Sequence, residues 1–470
     1  ADIYPLAPLQ EGIFFHHLLD AGEGDVYIQP LVLRFDSRER LDVFTGALQR
    51  VVDRHDILRT AFVWQDLPQP VQVVLRTASL PVETVVLGTA GNPAEQLVAA
   101  CPASMDIGQA PLIRVFIAQE PDTGAWHALI QTHHLILDHT TMDVLMGEIQ
   151  AVVAGREESL PEPLPFRDFV AQARLGTPRE EHERFFAELL GDVTEPTAPY
   201  DLVDVQGDGA DVAERKLSLD AGLATRLRSR ARALGVSPAT VFHLAWARLI
   251  GTLTGRDDVV FGTVLFGRMN AGAGADRVPG LFINTLPVRT RLHEDTVGDA
   301  LQTMHRHLAD LLAHEHAPLA LAQQASGLPP QTPMFTSLLN YRHSAEAATG
   351  SSNAPEGVEL LYARERTNYP LGVYIDDTTV GFRLTVQAAD PIDADAVARW
   401  MRTVTENIVQ ALESAPDTPM RRVEALDDAD RHRLLVEWSG GGAEPVSASA
   451  SEPASATLVE LFEAQAAGAP

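Results

Sequence analysis

Apolar residues recur along this chain with two periods that alternate from start to finish. Runs rich in β-branched and aliphatic residues predict strands over 26–35, 62–64, 71–74, 111–117, 126–130, 212–219, 259–265, 281–289, 333–342, 369–374 and 381–386. Apolar positions at helical spacing predict helices over 41–52, 93–100, 140–153, 221–234 and 393–412. Ser237 followed by Pro238 is a cap with proline at the first helical position, opening an apolar helix through Ile250. A Pro-punctuated entry at the start leads into another apolar helix ending near Leu19. Strands interleave with helices in both halves, so the chain is a mixed α/β protein. From about residue 178 the pattern turns to Glu- and Arg-rich helix and then to a Pro/Asp/Gly-rich loop reaching Asp211. We therefore divide the chain into 1–177, 178–438 and a tail, 439–470. The tail opens with Gly, Ser, Ala and Pro lacking any period over 439–456, a flexible linker, and ends in an amphipathic helix start at 457–465.

One corner concentrates chemistry. The strand pattern from Trp126 to Ile130 runs into Gln131-Thr132-His133-His134-Leu135-Ile136-Leu137-Asp138-His139, and the helix with Met142, Leu145, Met146 and Ile149 leaves it. Thr140 with Asp143 three residues on has the form of a capping box, which sets the expected helix start. Neighbouring strand side chains point to opposite faces, so His133 and His134 do not share an ion easily and no metal is expected. On an ideal strand His134 and Asp138 share a face. Loops of this kind present chemistry from a rigid scaffold. His134, His133 and Asp138 are thus the candidate catalytic residues.

Composition narrows the field. The chain has 470 residues, enough for two cores, and a formal charge of −28, which argues against phosphate-backbone binding. No run approaches a membrane span and no secretory signal opens the chain. The sole cysteine, Cys101, fits a reducing compartment, so a cytoplasmic location is expected. A start without methionine, almost directly on a motif, suggests a piece of a longer polypeptide.

His133-His134-x-x-x-Asp138 resembles the HHxxxDG signature of the condensation domains of non-ribosomal peptide synthetases, within the chloramphenicol-acetyltransferase-like superfamily. His139 stands where that signature has glycine, a position where glycine could serve the turn. Further segments resemble the family's motifs in the expected order. These are Pro5 to Gly12, Arg54-His55-Asp56-Ile57-Leu58-Arg59-Thr60-Ala61-Phe62, Gly280 to Arg289, and Pro333 to Arg342 with Asn340-Tyr341. The resemblance implies two acetyltransferase-like lobes forming a V-shaped pseudo-dimer, with a central tunnel and the histidine corner midway. It implies amide formation between an upstream peptidyl thioester and the α-amino group of a downstream aminoacyl carrier protein, with an L-configured donor. It also implies no directly bound cofactor, phosphopantetheine arms brought by carrier-protein partners, a downstream adenylation domain beginning in the tail, and a monomer as an excised domain. Asn340 and Tyr341 are expected to line the tunnel. An epimerisation domain of the same superfamily and a non-catalytic recruiting platform are the alternatives. Heterocyclisation domains replace the histidines by aspartate.

Asn284 and Arg289 are polar groups in an apolar strand and need partners. An Arg–carboxylate pair is the natural solution for Asp138. The expected bridge is Asp138–Arg289, with Arg59 as the other possible partner. Basic groups near a helix end are also favourable with its dipole, which accounts for Arg54 and Arg59 without a site.

Overall fold

The computed structural model describes residues 2–19, 25–89, 91–203, 212–268, 272, 274–292, 295–343, 357–363, 367–378 and 380–437. The first half folds as β1 (Asp2–Pro5), α1 (Pro8–Leu19), β2 (Ile28–Phe35), α2 (Arg38–Arg54), β3 (Thr60–Val63), β4 (Val71–Val74), β5 (Val82–Thr84), α3 (Pro93–Ala100), β6 (Ile113–Gln119), β7 (Trp126–His133), α4 (His139–Val153) and α5 (Phe166–Leu175). The second half continues with α6 (Arg179–Leu190), β8 (Val212–Ser218), α7 (Ala221–Ala233), α8 (Pro238–Thr254), β9 (Asp258–Leu265), β10 (Asn284–Arg291), α9 (Val297–Ala313) and α10 (Leu319–Ala325). It closes with β11 (Ser337–His343), β12 (Val358–Ala363), β13 (Leu371–Asp377), β14 (Phe382–Ala389) and α11 (Ala394–Ser414).

Three sheets result among the described residues. One has the order β12-β2-β7-β6-β5, a second β10-β9-β11-β13-β14-β8, and a small third β1-β4-β3. The first sheet takes its edge strand β12 from the second half, so the expected boundary at 177/178 does not separate the sheets. Residues 1–425 form one compact unit and 426–470 another. In the latter unit a short helix at Asp428–His432 is capped by Asp427. The expected linker at 439–456 and helix at 457–465 lie outside the described residues.

Strand β7 carries the corner because it is buried on both faces. It is antiparallel to β2 on one side and β6 on the other, with His133 opposite Ile28. Ala128 and Ile130 point into the larger first-half core, and Leu129 into a smaller cluster with Leu97 and Phe116. Two-sided burial explains the near-continuous apolar run. The strand persists three residues past Ile130, where polar side chains hide the pattern but the backbone ladder continues.

Helix ends follow from their caps. Ser37 opens α2, whose Leu41, Phe44, Leu48 and Val51 form one buried stripe. Ser237 caps α8 as expected, accepting from the Thr240 amide, and Gly255 ends it in the left-handed region at φ 66°. Phe242, Leu244, Trp246, Leu249 and Ile250 of α8 are fully buried, each worth about 2 kcal/mol of burial.

Elements outside the expected set have identifiable reasons. Strands β1 and β5 span four residues or fewer. Strand β12 is largely exposed and carries an irregularity between Leu360 and Tyr362 that breaks its alternation. Helix α9 has apolar residues at helical spacing (Val297, Ala300, Leu301, Met304), diluted by His305, Arg306 and His307.

Candidate active site

The chain turns sharply after His133. The His134 amide still donates to the Tyr27 carbonyl at 2.8 Å, continuing the β2 edge, and residues His134–Ile136 then form a single 3-10 turn. His134 therefore does not share a strand face with Asp138, contrary to the ideal-strand expectation. The turn folds the Leu137 carbonyl back onto the imidazole, with Nδ1 of His134 at 2.6 Å from it. A carbonyl only accepts, so Nδ1 carries the hydrogen and the neutral ring has its lone pair at Nε2. Nε2 has no hydrogen-bond partner among the described residues. His134 is partly exposed whereas His133 and Leu135 through Asp138 are buried. One basic nitrogen is thus oriented by its backbone and left open to a reactant.

Asp138 has a different task. It is the N-cap of α4, accepting from the Thr141 amide at 2.8 Å, so the helix starts at His139 and the Thr140–Asp143 capping box does not set its end. The same carboxylate takes two contacts from Nη2 of Arg268, at 2.8 and 3.0 Å, and one from the Phe282 amide at 3.1 Å. Both side chains of the pair are 1% exposed. Nη1 of Arg268 donates to the carbonyls of Ala275 and Val278, and the guanidinium lies 3.9 Å over the Phe282 ring. Thr141 Oγ1 sits among Asp138, Arg268 and both backbone groups of Gly280. Buried charge is tolerated here because every carboxylate lone pair and nearly every guanidinium proton is engaged. No hydrogen bond joins Asp138 to His134 among the described residues. The carboxylate anchors the corner to the second half; it does not polarise the imidazole.

The expected Asp138–Arg289 bridge is absent. Arg289 pairs with Asp258 and Asp192, and these contacts hold its guanidinium charged far above the usual range despite burial. It lies seven residues beyond Phe282, roughly 20 Å along extended chain from the amide that touches Asp138. Arg59 does not meet a buried acid either. It donates to the carbonyls of Leu75 and Arg76, tying the end of the 57–59 turn to β4. Asn284 spends its amide on the carbonyls of Glu315 and Ala317 and is a backbone staple.

His133 is fully buried and its ring is fixed at both nitrogens. The Leu135 amide donates to Nδ1 at 3.1 Å, so the neutral ring carries its hydrogen on Nε2, which donates to Asp25 at 2.9 Å. Burial depresses the His133 pKa, outweighing the nearby carboxylate. His17 donates to the same oxygen of Asp25 at 2.8 Å. Burial alone would raise the Asp25 carboxyl, but the two histidines hold it well below the usual carboxylate range. His17, Asp25 and His133 bring three potential metal ligands together. The set fits a metal poorly, because a ligating Nε2 on His133 would force a hydrogen onto Nδ1, against the Leu135 N–H.

With this geometry in place, the condensation-domain family model matches residues 1–435. The chain belongs to the condensation-domain family. It is 43% identical over its whole length to malpinin synthetase of Mortierella alpina, and 43% identical over 99% of its length to malpibaldin synthetase of the same organism. It spans only 6% and 8% of those two proteins. Among solved structures, the first condensation domain of the CDA synthetase superposes with a TM-score of 0.70 at 18% identity, covering 91% of this chain and 100% of that one. A variant of the starter condensation domain of rhizomide synthetase, in complex with C8-CoA, gives 0.70 at 19% identity over 90% and 98%. The fold is therefore that of condensation domains.

The family's glycine position now has a physical account in this chain. His139 is the first residue of α4, is absent from the residues with positive φ, and is 46% exposed near Asp143. No left-handed conformation is needed there, so histidine is accommodated. Asn340 and Tyr341 alternate on β11 and therefore lie on opposite faces. Tyr341 packs against Phe242 of the second-half core and donates to Asp377 at 2.5 Å. Arg268, Thr141 and Asp25 escaped the sequence reading. The only signal for Arg268 was a single cation next to Gly267 immediately after an apolar strand.

Proposed function

We propose that this condensation domain forms an amide bond by aminolysis of a thioester. The α-amino nitrogen of an aminoacyl group on a downstream carrier protein attacks the carbonyl of an upstream peptidyl or aminoacyl thioester. Its proton passes to Nε2 of His134; the C–N bond forms, the C–S bond breaks, and the thiolate released from the upstream arm takes the proton back from Nε2, restoring the neutral ring. The single observation that carries this reading is the His134 ring, held by Leu137 with its basic nitrogen open. An imidazole with a free ring nitrogen can take a proton from an amine, and a thioester needs no covalent nucleophile. Holding two tethered substrates end to end supplies much of the remaining acceleration, since effective molarities reach about 10⁵ M or more.

On this reading the phosphopantetheine arms belong to carrier-protein partners and enter a passage between acetyltransferase-like lobes. The donor is L-configured, the downstream neighbour is an adenylation domain, and the working place is the cytoplasm. The peptide-synthetase relatives and the solved condensation domains support the class of reaction. Mixing the domain with an upstream and a downstream loaded carrier tests it. The expected product is a dipeptidyl thioester on the downstream carrier, by mass spectrometry. Inversion of the α-carbon without transfer would mark an epimerisation domain, and carrier binding without any product would mark a recruiting platform.

A further inference from the structure

The hydrogen bonds around His134 converge on one residue outside every motif. Asp25 lies in the loop before β2, 108 positions from His133. Its Oδ1 accepts from the Tyr27 amide at 2.9 Å, and the Tyr27 carbonyl in turn receives the His134 amide at 2.8 Å. Its Oδ2 accepts from Nε2 of His133, whose Nδ1 receives the Leu135 amide at 3.1 Å. The two peptide N–H groups on either side of the His134 α-carbon are therefore each one hydrogen-bonding group away from the same carboxylate. Asp25 is itself pinned, its amide bonded to the Ala103 carbonyl at 2.9 Å and its own carbonyl to the Ile28 amide at 3.1 Å. His17 on α1 donates to Oδ2 from the other side.

We infer that Asp25 is the positioning residue for the His134 imidazole, acting through Tyr27 and His133. The inference rests on His134 being the working base, and names what sets its direction. Leu135 and Ile136 of this 3-10 turn are buried in the first-half core, and the Leu135 carbonyl accepts from Gln10. The His134 ring, by contrast, has only the Leu137 carbonyl as a hydrogen-bond partner among the described residues and turns with its own backbone. Asp25 fixes the backbone on both sides, so Nε2 points where the amine arrives. The carboxylate serves better than an amide here. Both of its oxygens must accept, from Tyr27 on one side and from two histidines on the other, whereas asparagine would present a donor to one of them.

The test compares wild type, Asp25→Ala and Asp25→Asn in the intact chain by three readouts: hydrogen exchange of the amides of residues 133–136, thermal unfolding, and single-turnover amide formation with loaded carriers at varied carrier concentration. Asp25→Ala is expected to exchange the His134 and Leu135 amides faster, and to lose on the order of 10²-fold in rate at saturating carriers, the cost of about 1 Å of misplacement. Apparent carrier affinities stay within about threefold, and Asp25→Asn falls between the two. Unchanged exchange at 133–136 overturns the inference whatever the rate. So does a loss of rate that accompanies faster exchange throughout the domain, which would make Asp25 merely structural. Localised faster exchange with a wild-type rate also overturns it. If His134→Ala proves fully active while Asp25→Ala still loosens these two amides, the assignment of His134 as the base fails and the Asp25 hydrogen-bond network stands as a structural device only.

Discussion

Replacing Arg268 by alanine removes the cation from a pair whose two side chains are each 1% exposed. The Asp138 carboxylate would keep its bonds to the Thr141 and Phe282 amides but face buried surroundings without a counter-charge. Breaking one side of a buried pair costs about 3–5 kcal/mol. The carbonyls of Ala275 and Val278 also lose their donor, at about 1 kcal/mol each, although these terms overlap with the first. A total of roughly 4–6 kcal/mol takes a large share of the 5–15 kcal/mol typical of a folded domain. Urea unfolding followed by circular dichroism would measure it, for Arg268→Ala alone and in an Asp138→Asn background. The second background decides the mechanism, since a neutral amide at 138 needs no counter-charge. The loss from Arg268→Ala should shrink there by about 2 kcal/mol or more. A loss below about 1 kcal/mol in the wild-type background, or equal losses in both, would refute the reasoning.

Gly267 is at φ +69°, and a Cβ there would run into the Phe282 carbonyl, so Gly267→Ala should displace the segment carrying Arg268 and cost about 3 kcal/mol or more in the same unfolding experiment. His139→Gly, which restores the family's glycine, should lower stability by about 0.5–1 kcal/mol because residue 139 is helical and gains nothing from glycine's freedom. Acid should destabilise the domain in two steps. Burial pushes His243 down to about 4, so below about pH 6.5 the unfolded chain takes a proton that the folded one refuses. Stability then falls by about 3 kcal/mol between pH 6.5 and 4 from that residue alone, with buried His133 acting in the same direction. Asp25 stays ionised in the fold, so a second loss begins as pH drops below about 4, where the unfolded carboxyl protonates. Unfolding free energies that are flat from pH 7 to 4 would contradict this.

Sequence alone located the corner and not its wiring. Its place was legible because β7 is buried on both faces and α4 follows with a regular apolar stripe, so two imidazoles and a carboxylate stood out between two clear patterns. The partner of Asp138 was not legible. Arg289 sits in a strand with a strong motif and drew the assignment, yet extended chain carries it some 20 Å away, where Asp192 and Asp258 serve it. Arg268 lies in a Gly- and Ala-rich loop whose path no periodicity describes, and Ala275, Val278 and Phe282 bring that loop into the first-half core. The His134–Leu137 bond was hidden for a related reason, since the strand period predicts extended backbone where the chain makes a 3-10 turn. Asp25 stood in a short polar loop that nothing in the local pattern connects to β7.

The most direct test is the single-turnover rate of amide formation by His134→Ala on carriers loaded with the same two aminoacyl groups as the wild type, after confirming an unaltered unfolding transition. Loss of the base predicts a fall of about 10²–10⁴-fold. A folded variant that makes product within about threefold of the wild-type rate would contradict the assignment of the proton to Nε2 of that ring.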